Sequence, residues 1–337
     1  MITTRQSDIA KKLNISRVTV SKALRDHPDI SRSMKIKVKE TAADMGYIPN
    51  LIAKQLNSRK TFTIGVVIPD LENSFFAYVA DSIIDCATEK GYRVILTVSR
   101  EKESVEKENI ENLIGMRVDG LLICISQETR NTEVFSQIKR MNIPLVFFDR
   151  IIRDNDFSSV VFNDKEGAIE ALTQIITSGY RKIAHFSGYS GISIGKERLN
   201  GYKTALKKHN IPLKKEWIIE GGFEISDGRN AMRKLISQGE MPEVILAVND
   251  RVAMGAFLEA KKTGLRIPSD VCFIYYGFSE TNNISSPSMS VINQDPRKLG
   301  IRSAQILLDL IRKKTNSKPV REILDEQIIW NKSKKKL

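Results

Sequence analysis

The sequence predicts an α/β protein: a small all-α module at the N-terminus, then a clamshell of two subdomains built on parallel sheets. Three observations carry this. The first sixty residues hold apolar stripes at helical spacing and no strand-like run. From about Thr63 the chain alternates short continuous apolar runs with amphipathic stretches, the pattern of parallel strands covered by helices. The 337 residues also exceed what one ordinary core organises.

In the first segment Ile9, Ala10 and Leu13 form one stripe, Val20, Ala23 and Leu24 a second, and Val38, Ala42 and Met45 a third. Ser16 and Ser31 are expected N-caps, and Gly46 is a C-terminal stop. Pro49 begins a new segment, and Asn50 to Leu56 predict one more short helix. Ile64–Ile68 is the first strand, followed by a helix over Ser74–Lys90 and a strand over Tyr92–Val98. Further strands are expected near Gly120–Ile125, Leu145–Phe148, Ile183–Phe186, Trp217–Ile219, Val244–Val248 and Phe273–Tyr276. The run Val160-Val161-Phe162 falls about halfway, where one sheet could end and another begin. Two βα halves suit a cleft, and ligands of open parallel sheets sit beyond the carboxyl ends of the strands. Those ends carry Pro69-Asp70, Asp149-Arg150, Asn249-Asp250 and Ser279-Glu280.

Apolar residues make up 41% of the chain and charged residues 28%, which reads as a soluble globular protein. The net charge is +13, unevenly placed. Residues 1–60 hold 13 Lys and Arg against 5 Asp and Glu, a balance of +8, and the rest hold 40 against 35. Four of the later positives are lysines of the C-terminal tail, so the body between is near neutral. Charge concentrated on one small module is the footprint of phosphate binding, although a solvated basic face would look the same. Cys86, Cys124 and Cys272 are far apart and form no CxxC pair, so buried reduced thiols are expected, with neither a disulfide frame nor a zinc site. The N-terminus lacks the apolar run of a signal peptide and no stretch is long enough to span a membrane, so a cytoplasmic protein is expected.

Residues Ser7 to Leu24 carry helix-turn-helix spacing, with Asn14-Ile15-Ser16 as the tight connection and Arg17 to Leu24 as the helix that enters the major groove. Arg17 and Lys22 suit guanine O6 and N7, and Val18 suits a thymine methyl. Ser16 and Thr19 are within reach of phosphate, and Ser21 is exposed on the same turn. Many helical hairpins share this spacing; the longer pattern is more specific. Asp8-Ile9-Ala10, Ile15 to Ser21, Met45-Gly46-Tyr47-Ile48-Pro49-Asn50 and Ala53-Lys54-Gln55-Leu56 together resemble the LacI/GalR family of bacterial regulators. So do Ile64 to Asp70, Asn73 to Phe76, Val118 to Leu122, Phe148-Asp149-Arg150, Arg198 to Tyr202 and Asn249 to Ala256. The resemblance runs from about Thr3 to Trp330.

The resemblance implies a ligand-responsive, sequence-specific transcriptional regulator, a repressor, acting as a homodimer on a palindromic DNA operator and sensing a sugar or related small polar metabolite. It implies a helix-turn-helix domain over 1–49, a hinge helix and linker over 50–62, and an effector-binding and dimerisation domain over 63–337 with a periplasmic-binding-protein-like fold. The chain should cross between subdomains near Val161, Val291 and Arg321. That assigns 63–161 and 292–320 to the N-subdomain, and 162–291 and 321–337 to the C-subdomain. The DNA-facing set is completed by Ser31 and Tyr47 and by the hinge residues Asn50, Ala53 and Leu56, the last wedged into the minor groove. The chain departs from the family pattern at Lys22, where Arg is usual, at Met34, often Thr, and at Ser279, which replaces an aspartate that commonly contacts the effector.

The same resemblance lines the cleft with Phe76, Asp149, Arg150, Arg198, Phe223, Asn249, Asp250 and Ser279. Carboxylates and amides there suit hydroxyl groups, and the two aromatic rings suit a sugar face or a base. Asp250 could instead cap the helix beginning at Arg251. Arg198 is expected to decide the effector response, or else to brace the cleft by pairing with Asp149 or Asp250. With Ser279 in place of aspartate, Arg198 would be less neutralised, which points to an effector bearing an acidic group. His27, His185 and His209 sit in unrelated contexts and no catalytic motif is present, so no enzyme, cofactor or metal site is expected. A solute-binding protein without a DNA role would explain the clamshell but not the basic N-terminal module.

Overall fold

The computed structural model describes residues 4–48, 60–152, 156–278, 289–313 and 318–331. The expected hinge residues Asn50, Ala53 and Leu56, and Ser279 of the cleft, lie outside these segments. The chain divides into two compact units, Met1–Thr61 and Phe62–Leu337.

The first unit packs α1 (Gln6–Leu13), α2 (Arg17–Leu24) and α3 (Arg32–Asp44). Its core is small: Ile9, Ala10, Val20, Ala23, Val38 and Ala42 are buried, with Leu13, Leu24 and Met45 packed against them. Asn14 ends α1 in the left-handed region (φ 52°), a conformation asparagine tolerates better than most residues. The Ser16 hydroxyl accepts from the Thr19 amide at 2.9 Å, and that of Ser31 accepts from the Met34 amide at 3.3 Å. Each removes an orphan donor from a helix start.

The second unit contains two six-stranded sheets. Its first half runs β1 (Thr63–Ile68), α4 (Ser74–Glu89), β2 (Arg93–Val98), α5 (Glu103–Gly115), β3 (Gly120–Ile123), α6 (Glu133–Arg140), β4 (Leu145–Phe148) and β5 (Ser158–Phe162). Its second half runs α7 (Asp164–Thr177), β6 (Ile183–Ser187), α8 (Ser193–Lys208), β7 (Ile218–Glu220), α9 (Ile225–Ser237), β8 (Val244–Ala247), α10 (Asp250–Lys262) and β9 (Cys272–Gly277). The chain closes with β10 (Ser290–Asn293), α11 (Pro296–Lys313), β11 (Arg321–Leu324) and β12 (Gln327–Ile329). The sheet orders are β11-β5-β4-β3-β1-β2 and β12-β10-β9-β8-β6-β7. Every pairing is parallel except β10 with β12. The central strands are buried on both faces, which is why they read as unbroken apolar runs.

The chain passes between sheets after Phe162, after Asn293 and after Leu324. The first passage lies beside the expected Val161. The other two fall a few residues later than the expected Val291 and Arg321, because β10 and β11 extend the sheets they leave. These late strands and β12 were not expected from the sequence. Trp217 lies in a 3₁₀ turn ahead of β7, outside the strand expected there.

The packing of α9 on α10 relies on a close approach. A Cβ on Gly228 of α9 would lie 2.0 Å from the Val252 carbonyl oxygen, and one on Gly255 of α10 would lie 2.0 Å from that of Ile225. The two helices meet backbone to backbone, a separation only glycine permits.

Candidate functional site

In the first unit the start of α2 is open to solvent. Val18 is 65% exposed, Arg17 is exposed, and Val20 and Ala23 anchor the opposite face in the core. Ser16 and Thr19 share a hydroxyl hydrogen bond of 2.8 Å that rounds off the helix start. Three further details were not legible in the sequence. The Lys22 ammonium pairs with Asp29 at 2.7 Å and holds that carboxyl below its ordinary pKa. Exposed pairs of this kind are weak and exchangeable. Arg25, absent from the expected set, lies back along the helix and donates to the Ser21 carbonyl and hydroxyl, each at 3.1 Å. Tyr47 packs against the core and its hydroxyl accepts from Gln6 Nε2 at 3.0 Å, so in this structure it supports α1.

In the second unit a cleft of about 500 Å³, counting space open to solvent, gathers seven of the eight expected residues: Phe76, Asp149, Arg150, Arg198, Phe223, Asn249 and Asp250. It is also lined by Asn73, Ser74, Phe75, Ile194, Tyr276, Gly277, Phe278 and Gln294. The lining comes mainly from strand exits and the helix starts that follow them. Asn73 caps α4 through a 3.0 Å bond from the Phe75 amide. Gln294 directly follows β10, so its position would have been legible had Ser290–Asn293 been read as a strand.

Asp149 leaves β4 with a positive φ of 59°. Burial raises its carboxyl to about 6, against the opposing pull of Arg150 and Arg198. The Arg150 guanidinium lies 4.8 Å from the Phe223 ring centre and 5.6 Å from that of Phe76, a cation–π arrangement on both expected stacking rings. Its Nη1 donates to both Glu101 oxygens at 2.8 Å, Asp149 lies 3.9 Å from its Nε, and that Nε is buried without a hydrogen-bond partner among the described residues.

Asn249, not Asp250, caps α10. Its Oδ1 accepts from the Val252 amide at 2.8 Å, while its Nδ2 donates to the Phe223 carbonyl at 2.9 Å. Asp250 is the first residue of the helix, its carboxyl raised by burial. Both residue types cap helices well, and the register of α10 decides between them.

Arg198 lies in α8, 3% exposed, and braces the cleft through a partner the sequence did not suggest. Its Nε donates to Asp164 Oδ1 at 2.7 Å and its Nη2 to Gln294 Oε1 at 2.9 Å, while Nη1 donates to the Val248 carbonyl. Its guanidinium lies 4.0 Å from the Tyr276 ring centre. Asp164, rather than Asp149 or Asp250, supplies the charge. The idea that Arg198 is under-neutralised, and with it the case for an acidic effector, therefore loses its basis.

A cross-cleft ion pair lies nearby: Arg251 Nη1 donates to Asp70 Oδ2 at 2.8 Å, and Nη2 pairs with Glu224. Among the described residues no group of acidic, histidine and cysteine side chains could hold a metal, and no helix is long and apolar enough to cross a membrane.

Comparison with known proteins matches residues 7–50 to the family model for bacterial regulatory proteins of the lacI family. Residues 61–329 match the model for periplasmic binding proteins and the sugar binding domain of the LacI family. Catabolite control protein A of Priestia megaterium is 31% identical over 309 residues, 91% of this chain and 92% of its own length. The probable HTH-type transcriptional repressor ExuR of Bacillus subtilis (strain 168) is 32% identical over 307 residues, 90% of each chain. The HTH-type transcriptional repressor PurR of Vibrio vulnificus (strain CMCP6) is 30% identical over 328 residues, covering 97% and 98%. Among solved structures, the Lac repressor dimer bound to operator and the anti-inducer ONPF superposes with a TM-score of 0.87 at 24% identity, over 98% of this chain and 99% of that one.

Proposed function

Since the chain belongs to the LacI family of bacterial regulatory proteins, and is by that membership a ligand-responsive DNA-binding transcriptional regulator and no enzyme, we propose that it is a cytoplasmic homodimeric repressor of a palindromic operator whose effector is a neutral polyhydroxylated molecule of sugar size. The DNA half of this reading rests on the open start of α2, where Arg17 and Val18 stand free of the core. One recognition helix reads only a few base pairs, and two-fold symmetry doubles the site. A solute-binding protein without a DNA role is not favoured, because the relatives share the N-terminal module as well as the clamshell.

The effector half rests on the charges in the cleft wall. Arg150 is answered by Glu101 and Arg198 by Asp164, so neither guanidinium is left to balance an anion. Asp149 and Asp250 add negative charge where an acidic group would have to sit. Hydroxyls, by contrast, can both donate to carboxylates and accept from amide N–H groups such as those of Asn249 and Gln294 in the lining. The test is a thermal-unfolding screen of the full chain against neutral aldoses and disaccharides, the matching uronic acids and sugar phosphates, and purine bases. A neutral sugar should raise the unfolding temperature most. Stabilisation confined to the acids and phosphates would overturn the assignment of ligand class, and stabilisation by purines alone would overturn the sugar reading.

A further inference from the structure

The three passages between the sheets of the second unit converge on one buried cluster. Asp164 opens α7 just after the first passage, Gln294 sits on the second, and Glu326 sits on the third. Gln294 joins them. Its Nε2 donates to Asp164 Oδ1 at 2.9 Å and also to Glu326 Oε1, while its Oε1 accepts from Arg198. The direction in which the Gln294 amide faces therefore fixes the fork of Arg198 at the cleft wall.

The other oxygen of Glu326, Oε2, is buried with no hydrogen-bond partner among the described residues. It occupies space that Gly167 leaves open, since a Cβ there would lie 1.7 Å from it, and Ile292 closes the same pocket. An ionised carboxylate in that position would bury an unanswered charge. We propose that Glu326 is a positioning residue for Arg198, acting through Gln294, and that its hold on the three passages weakens when it loses its proton. The connection to effector binding rests on the cleft being the effector site; the connection to Arg198 and the passages does not.

The groups around Glu326 support this direction. Asp164 and Glu170 of α7 repel a second negative charge, the Gln294 amide and Arg198 of α8 favour one, and Tyr276 of β9 donates a hydrogen bond from its hydroxyl to the Asp164 carbonyl; burial outweighs the two that favour charge. Burial raises the Asp164 carboxyl as well, but Arg198, against it at 2.7 Å, opposes that rise more directly than it does for Glu326, so Glu326 is the better proton holder of the two. Burial, reinforced by Asp164, pushes the Glu326 carboxyl up to about 8. A raised carboxyl contributes stability that is fully present below the unfolded-state pKa and is lost as the pH rises through about 8.

The test compares the full chain with its Glu326→Gln variant, which imitates the protonated acid, from pH 6 to 9.5 without any effector. The melting temperature of the variant relative to the parent should rise by about 3 °C or more across that window. Hydrogen exchange at the passages, followed at the Asn163 and Gln294 amides and corrected for intrinsic rate, should lose roughly tenfold protection in the parent and stay constant in the variant. Gly167→Ala, which displaces the carboxyl without removing it, should flatten the parent's profile as well. Parallel pH profiles for parent and Glu326→Gln would overturn the proposal. If that variant does not fold, pH-independent protection of the passages in the parent chain would overturn it alone.

Discussion

At the scale of single residues, the cleft separates what spacing reveals from what only the folded chain decides. Asp149, Arg150, Asn249 and Asp250 were legible in the cleft because strand exits converge at the end of a parallel sheet, whereas Phe76, Arg198 and Phe223 were placed there by the family resemblance. Their partners were not legible. Arg198 finds Asp164 on α7 and Gln294 beyond β10, residues that no local pattern connects to it. The Asn249 cap was missed by a single position between two residues equally suited to capping. The buried pair leads to a specific expectation. Arg198→Ala would leave the Asp164 carboxyl buried without its cation, and breaking such a pair costs about 3–5 kcal/mol. Chemical denaturation at pH 7 should show a loss of that size. Near-parental stability would mean that Arg198 is available chiefly to the effector.

At the scale of elements, strands buried on both faces announced themselves, as in Thr63–Ile68 and Leu145–Phe148. The closing strands did not. β11 and β12 are short, are mostly exposed or half-exposed apart from the buried Leu324, and lie at sheet edges, so no apolar run betrays them. Their antiparallel or late-joining partners are set by the return of the chain, not by local composition. Helix contacts were equally silent, since a glycine in a helix gives no sign of what it faces. Gly255→Ala would drive a methyl into the Ile225 carbonyl and force α9 and α10 apart, at a cost of about 1–3 kcal/mol. Gly115→Ala, with nothing within 4 Å of the added carbon, is the control and should cost nothing measurable. Thermal unfolding of both variants checks the pair, and equal effects would remove the close-approach explanation.

At the scale of the whole molecule, the charge asymmetry was legible from counting alone: a net +8 on residues 1–60 beside a nearly neutral body. It falls on the unit that matches the DNA-binding family model, where Arg17 and Val18 stand exposed at the open start of α2. In the second unit the two described arginines of the cleft wall are held by Glu101 and Asp164. DNA recognition and ligand recognition are thus assigned to different units by different chemistry. The decisive measurement is selection of bound sequences from random double-stranded DNA by the full chain and by Arg17→Ala. The full chain should recover a palindrome and bind it more tightly than a single half-site. The variant should lose preference at the contacted base of each half-site, at about 1–3 kcal/mol per contact. Recovery of no common sequence, or half-sites bound as tightly as full sites with a consensus unchanged in Arg17→Ala, would contradict it.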